Sequence, residues 1–213
     1  MVDVNRNGVV LDGSAAVNQV SDTIYDIPWT LASASPRRLA LLRQIGIEPE
    51  VNPANIDEQP EDHHPVEAAC TNATQKLETI LPDVKEGIVL AADTVVILDG
   101  TGLGKPSDHL VARETLRRLA NRTHTVVTAF AIHYCLSGKR IVTGESTLVR
   151  MRALADEEIE RYLATGEPYD KAGAYGIQGQ AASFVDRVEG CYFNVVGLPL
   201  ARVLTTAAEL LHT

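Results

Sequence analysis

The run Ile88-Val89-Leu90-Ala91-Ala92 ends abruptly at Asp93-Thr94 and is followed by Val95-Val96-Ile97-Leu98. Continuous apolar stretches of this kind read as strands covered on both faces, since a half-exposed strand would alternate polar with apolar residues. A chain holding such strands needs helices on each side of its sheet, and the flanking sequence supplies them. The spacing predicts a helix over 66–81, with Ala69, Ala73, Leu77 and Ile80 on one face and Lys76 off it, free to reach a cleft. Lys105-Pro106-Ser107-Asp108 opens another through about Leu119, capped by Asp108 or Ser107, and further helices fall at 156–164 and 198–211. Residues 125–134 and 141–151 form an antiparallel pair around Leu136-Ser137-Gly138-Lys139. Asp99-Gly100-Thr101-Gly102 marks a hairpin-like turn, and 184–188 and 193–196 read as short strands flanking Glu189-Gly190. The expected fold is α/β: a mixed twisted sheet with flanking helices, in two lobes around a central cleft.

A second stretch says what such a cleft could hold. Residues 27–32 read as a short buried strand and run into Ser33-Ala34-Ser35-Pro36-Arg37-Arg38, where Ser35 suits a helix N-cap and Pro36 the first helical position. Leu39, Leu42 and Ile45 follow at helical spacing. Helix-start amides beside two guanidiniums make an anion site, with a polyphosphate as the natural guest. A helix with no ligand would place Asp or Glu in that first turn rather than two arginines. The formal net charge of −9 argues against non-specific binding to nucleic acid or to an anionic membrane, so cations for an anionic ligand must be gathered locally.

Asp93, at the end of a wholly apolar run, is expected at a strand terminus, where α/β proteins bind ligands. There it suits a metal ligand or a base that orients water, against the plainer alternative of a turn-capping carboxylate. Asp57 and Glu58 supply further carboxylates in a loop, hard donors suited to Mg²⁺ or Mn²⁺, although such a pair alone is usually a solvated surface feature. Lys105, set between Gly104 and Pro106, joins Lys76 and Lys171 as a candidate cation. Gln178 lies in Tyr175-Gly176-Ile177-Gln178-Gly179. One amide both donates and accepts, which matches the N–H and carbonyl edge of uracil or thymine; a Glu there could only accept. The histidines show no ligand spacing.

Six ordered motifs carry a resemblance: Ser33-Ala34-Ser35-Pro36-Arg37-Arg38, Ala91-Ala92-Asp93-Thr94, Lys105-Pro106, Thr123-His124-Thr125-Val126-Val127-Thr128-Ala129, Asp170-Lys171-Ala172-Gly173-Ala174-Tyr175-Gly176-Ile177-Gln178-Gly179 and Asn194-Val195-Val196-Gly197-Leu198-Pro199. Together they resemble the Maf family of nucleoside triphosphate pyrophosphatases over about residues 29–211. The resemblance implies the Maf and inosine-triphosphatase type of fold, and hydrolysis between the α and β phosphates with a divalent metal, Mg²⁺ or Mn²⁺. It places Asp93 as the catalytic carboxylate and proton acceptor, and Ser35, Arg38, Glu58, Lys76, Lys105 and Gln178 at other active-site positions. Asp93 and Glu58 would hold metal and water, while Arg38, Lys76 and Lys105 neutralise the triphosphate. Arg37, Thr94 and Gln178 fall where the family sets substrate preference, and Tyr-Gly-Ile-Gln-Gly resembles its dTTP/UTP subgroup, modified pyrimidine triphosphates included. Ala73-Thr74-Gln75-Lys76-Leu77 is looser than the family's usual Lys-Ala. The resemblance also implies a homodimer.

The rival activities are 7-methyl-GTP or inosine triphosphate hydrolysis, and, from another class, a non-catalytic nucleotide-sensing regulator of cell division. Residues 1–26 read as a partly ordered extension and 27–213 as a single catalytic domain. Three scattered cysteines, Cys70, Cys135 and Cys191, fit free thiols in a reducing compartment, and no apolar run reaches the roughly 20 residues that span a bilayer. A cytosolic enzyme is expected, with no nucleic-acid or membrane partner.

Overall fold

Strand β3 (Ile88–Leu98) is the spine of the computed structural model, which describes residues 22–59 and 64–212. It is one unbroken strand of 11 residues, so Asp93 stands in its middle and not at its end. The backbone does not stop at the charge because β5 (Thr123–Tyr134) pairs antiparallel with it from Ile88 through Ile97, with Asp93 opposite Ala129. The polar interruption marks a change of what faces the strand, and pairing carries it through.

Six of the seven strands of the mixed sheet run in the order β2-β1-β3-β5-β6-β7, with β4 paired to β3 off that path. The others are β1 (Trp29–Leu31), β2 (Glu50–Val51), β4 (Thr101–Leu103), β6 (Lys139–Met151) and β7 (Val185–Glu189). β1 runs parallel to β2 and β3, and the remaining pairs are antiparallel. On the edge of β3 away from β5, β1 covers only Ile88–Leu90 and β4 only Val96–Leu98. Residues 91–95 have no strand beside them on that edge, and Asp93 and Thr94 lie in the gap.

Side chains on a strand alternate between faces, and each face of β3 meets its own layer. Leu90, Ala92, Val96 and Leu98 enter a core with Leu41 and Leu42 of α1 (Pro36–Gln44), Leu116 of α3 (His109–Leu119), Ile159 of α4 (Asp156–Leu163) and Val203 of α6 (Leu200–His212). Val89, Ala91 and Val95 face α2 (Pro65–Ile80), which presents Ala69, Ala73, Leu77 and Ile80 as expected. In α1 the fully buried pair is Leu41 and Leu42, while Leu39 and Ile45 pack at the margin.

Residues 193–196 are helical, within α5 (Tyr192–Val196), and not a strand. Both edges of β5 are already taken by β3 and β6, so residues 193–196 have no strand edge there to join. Asn194, wholly buried, instead anchors the turn by accepting from the Thr128 N–H and donating to the Val126 carbonyl and Thr147 Oγ1. Gly197, at φ 124°, then ends the turn. Of the expected N-terminal extension, residues 1–21 lie outside the described residues, as do 60–63 of the expected loop. The segment Asp22–Tyr25 is a short 3₁₀ turn whose Ile24 enters the main core and accepts from Trp29 Nε1 at 3.1 Å.

Gly87, at φ 82°, leads the chain into β3 directly against Pro28, and a Cβ there would fall on the Pro28 carbonyl oxygen. That carbonyl accepts the Ile88 N–H at 2.8 Å, so it cannot move aside without opening the β1–β3 junction. Gly87→Ala is therefore expected to lower unfolding free energy by about 2 kcal/mol or more, read by urea denaturation. An unchanged midpoint would show that the junction yields.

Candidate active site

The gap on β3 opens a cleft of about 850 Å³, within the range of small-molecule sites. Ser35, Arg37, Arg38, Glu58, Lys76, Asp93, Thr94, Lys105 and Gln178 all line it, together with Lys171. Asp57 does not; it faces a separate open depression beside Gln75 and Glu78.

Asp93 points toward α2. It is only 6% exposed, and a carboxylate at that depth needs partners to offset its lost hydration. Two successive turns of α2 supply them: Lys76 Nζ lies 2.5 Å from Oδ1, and Asn72 Nδ2 donates to Oδ2 at 3.1 Å. Lys76 reaches the cleft as expected and is held there, 8% exposed, because α2 lies across β3 and turns this flank of the helix onto the one charged position of the strand. Its ammonium also lies 2.7 Å from Glu58 Oε1, and Glu58 Oε2 lies 3.7 Å from Lys105 Nζ. A single buried ammonium thereby joins the strand carboxylate to the loop carboxylate. Behind them, burial and then the Asp93 charge push the Cys70 thiol up to about 11, so it stays neutral and unreactive.

Thr94 points the other way, toward α1. Arg38 is held by three acceptors: Nε on the Gly197 carbonyl at 2.9 Å, Nη1 on Ser33 Oγ at 3.1 Å and Nη2 on Thr94 Oγ1 at 3.1 Å. The Thr128 hydroxyl donates to the Asn194 carbonyl at 2.9 Å, so the Thr94 hydroxyl, 2.9 Å away, donates to Thr128 while accepting from Arg38. Burial pulls the Arg38 pKa down and Asp93 pulls it back up, and a guanidinium remains charged at neutral pH regardless. Ser35 occupies the N-cap of α1 but makes no side-chain cap bond, and the first turn carries no acidic residue. Ser35, Pro36, Arg37 and Arg38 at that end of the helix all line the cleft.

The rim is a glycine-rich loop. Gln178 is exposed there, while Tyr175 is buried and meets His124 Nε2 at 2.7 Å through its hydroxyl. Glu167 braces the loop, accepting from Tyr162 Oη at 3.0 Å and from the Gln180 N–H at 3.1 Å, and a Cβ on Gly179 would fall on its carboxylate. Asp170 accepts from Arg37 Nη1 at 3.3 Å and from Lys171 Nζ at 2.6 Å.

A family profile described as "Maf-like protein" matches residues 28–210. The chain belongs to the Maf-like protein family. It is 45% identical over 175 residues to a dTTP/UTP pyrophosphatase of Dictyoglomus thermophilum, covering 81% of this chain and 91% of that one. A dTTP/UTP pyrophosphatase of Carboxydothermus hydrogenoformans is 46% identical over 179 residues, 84% of this chain and 96% of the relative. A third, from Moorella thermoacetica, is 46% identical over 174 residues, 81% and 90% of the two chains.

Sequence reasoning misses Asn72 and Glu167, and it gives Thr128, Asp170 and Asn194 no role although all three lie in quoted motifs. Asn72 does carry a signal: a polar residue four before Lys76, next to the alanine face of the same helix, shares that lysine's outlook.

Replacing Lys76 by Met leaves Asp93 inside the protein with Asn72 alone. Lys76→Met is expected to cost about 3 kcal/mol in urea unfolding. Adding Asp93→Asn to it is expected to cost less than the two single losses summed. Strict additivity would mean that the pair is not coupled.

Proposed function

We propose that the protein hydrolyses dTTP and UTP to the nucleoside monophosphate and pyrophosphate. The observation that carries this reading is the meeting of Arg38, Lys76 and Lys105 with Asp93 and Glu58 around one cleft of about 850 Å³, with Gln178 at its rim. The relatives' activity supports it, since the chain spans about nine-tenths of their length.

Water adds at phosphorus, the bridging P–O bond between the α and β phosphates breaks, and pyrophosphate leaves. Asp93 takes the proton of the attacking water: a carboxylate has about four lone-pair sites, and Lys76 and Asn72 engage two. Arg38 is held in place before substrate arrives, so its charge costs no reorganisation when negative charge develops. Lys105, more than half exposed, has the freedom to move from Glu58 onto the leaving pyrophosphate.

Asp93 and Glu58 are the residues that would hold Mg²⁺ or Mn²⁺. Among the described residues no group of three His, Cys, Asp or Glu forms a closed cage. That fits a hard cation bound through one or two carboxylates plus substrate phosphates. When bound, the ion supplies further neutralisation of the triphosphate. No helix among the described residues is long and apolar enough to cross a membrane. Cys70, Cys135 and Cys191 are free thiols, which supports a reducing, cytosolic setting.

Pyrophosphate release from dTTP with Mg²⁺ tests the reading. Asp93→Asn is expected to lower kcat by about a hundredfold or more, and near-wild-type turnover would remove Asp93 from the mechanism. Gln178→Glu, which cannot donate to a pyrimidine carbonyl, is expected to lower kcat/KM for dTTP and UTP by about tenfold, in a panel that includes 7-methyl-GTP and inosine triphosphate. An unchanged preference would move base reading elsewhere. Wild-type protein that binds dTTP tightly yet never releases pyrophosphate would favour a sensor.

A further inference from the structure

The loop from residue 52 to Gln59 carries Glu58 but contains no helix or strand, so something outside it must set where Glu58 stands. One side chain does this and reaches Asp93 as well. Asn72, 1% exposed, accepts the Gln59 N–H on Oδ1 at 2.7 Å and donates Nδ2 to the Gln59 carbonyl at 3.3 Å. The same Nδ2 donates to Asp93 Oδ2 at 3.1 Å. The orientation of the amide follows from its partners. Turned over, its NH₂ would face the Gln59 N–H, and its oxygen would face both the Gln59 carbonyl and the Asp93 carboxylate.

The side-chain amide thus pairs with one loop residue as a neighbouring strand would, in both directions. Its third bond fixes the plane of the Asp93 carboxylate together with Lys76, one donor to each oxygen. Lys76 holds the other end of the arrangement through Glu58. Unlike its partners Gln59 and Asp93, and unlike Lys76, Asn72 does not line the cleft and so touches no substrate.

We infer that Asn72 is a positioning residue: it clamps the Glu58 loop onto Asp93 and sets the spacing of the two carboxylates on which turnover depends. This rests on the proposed pyrophosphatase reading, and its consequences divide into a catalytic one and one that needs no substrate. Misplacing reacting groups by about 1 Å costs rate far more than binding. Loss of the clamp therefore lowers kcat and leaves KM for dTTP nearly unchanged. Independently, the Gln59 amide loses its acceptor and exchanges faster with solvent.

Asn72→Leu keeps the size of the side chain and favours the helix while removing every bond; Asn72→Ala serves if that variant does not fold, as judged by its thermal transition. The full chain with Mg²⁺ is assayed for pyrophosphate release from dTTP, and amide hydrogen exchange is followed at Gln59 without nucleotide. Expected are a kcat lower by about tenfold to a hundredfold with KM within about twofold, and Gln59 exchange faster by about tenfold. In a Glu58→Gln background the same substitution is expected to add little to the loss. A folded Asn72→Leu or Asn72→Ala protein with wild-type kcat, or with unchanged Gln59 exchange, overturns the inference. So does a rise in KM that accounts for the whole loss. If wild-type protein releases no pyrophosphate from dTTP or UTP, the function reading falls and takes the catalytic half with it, and the exchange rate alone then decides the clamp.

Discussion

One carboxylate, the single acidic or basic group of its strand, dictates how this protein is assembled. Asp93 is nine-tenths or more withdrawn from water, a position that is destabilising unless charge and hydrogen bonds are brought to it. α2 brings them, with its alanine face packed on the same strand. Lys76 and Asn72 lie on adjacent turns, and each meets one oxygen of the same carboxylate. Once α2 is seated, Lys76 draws Glu58 in and Asn72 holds Gln59, so an irregular loop acquires a defined place. The geometry of the cleft on this side descends from a single charge and its two donors.

The other side is organised by hydrogen bonds that run through the sheet. Arg38 rests on Thr94, Thr94 on Thr128, and Thr128 on Asn194, linking α1, β3, β5 and α5 in one chain of polar contacts. Adjacent residues of β3 thus serve opposite faces: Asp93 anchors the carboxylate and ammonium group, and Thr94 anchors the guanidinium. Both are reachable from one cleft because β1 and β4 leave the strand edge between them uncovered. A full-length partner strand there would have sealed the two groups from each other.

What was legible in the sequence follows from how local each determinant is. The strand-to-helix run ending in Arg37-Arg38, the antiparallel pair of β5 and β6 and the Asp108 cap depend on near neighbours, and all three stand in the structure. Nine candidate site residues drawn from distant segments line one cleft, because the motifs that singled them out share a cavity. The misses are all matters of what lies across the fold. Nothing local reveals that β5 carries β3 past Asp93, or that the side chain of Asn194 anchors a helical turn on the backbone of β5. Nor does local sequence show that Lys76, once in the cleft, meets both Asp93 and Glu58.

The charges of the cleft explain how a chain of net charge −9 can receive a polyanion. Five cations line it, Arg37, Arg38, Lys76, Lys105 and Lys171, and so do four carboxylates, Glu58, Asp93, Glu167 and Asp170. Arg37 and Lys171 meet on Asp170, and Lys105 faces Glu58. The site is therefore close to internally neutralised, and its long side chains are held in the cleft by its own acids. A triphosphate gains by taking over cations from exposed carboxylates, whose release into water costs little. Lys76 and Arg38, buried and tied to several partners each, stay where they are. In the proposed reaction, binding energy comes from the more exposed cations, Arg37 and Lys105, and fixed electrostatics for the transition state from the buried Arg38 and Lys76, a division that allows binding without loosening the buried groups.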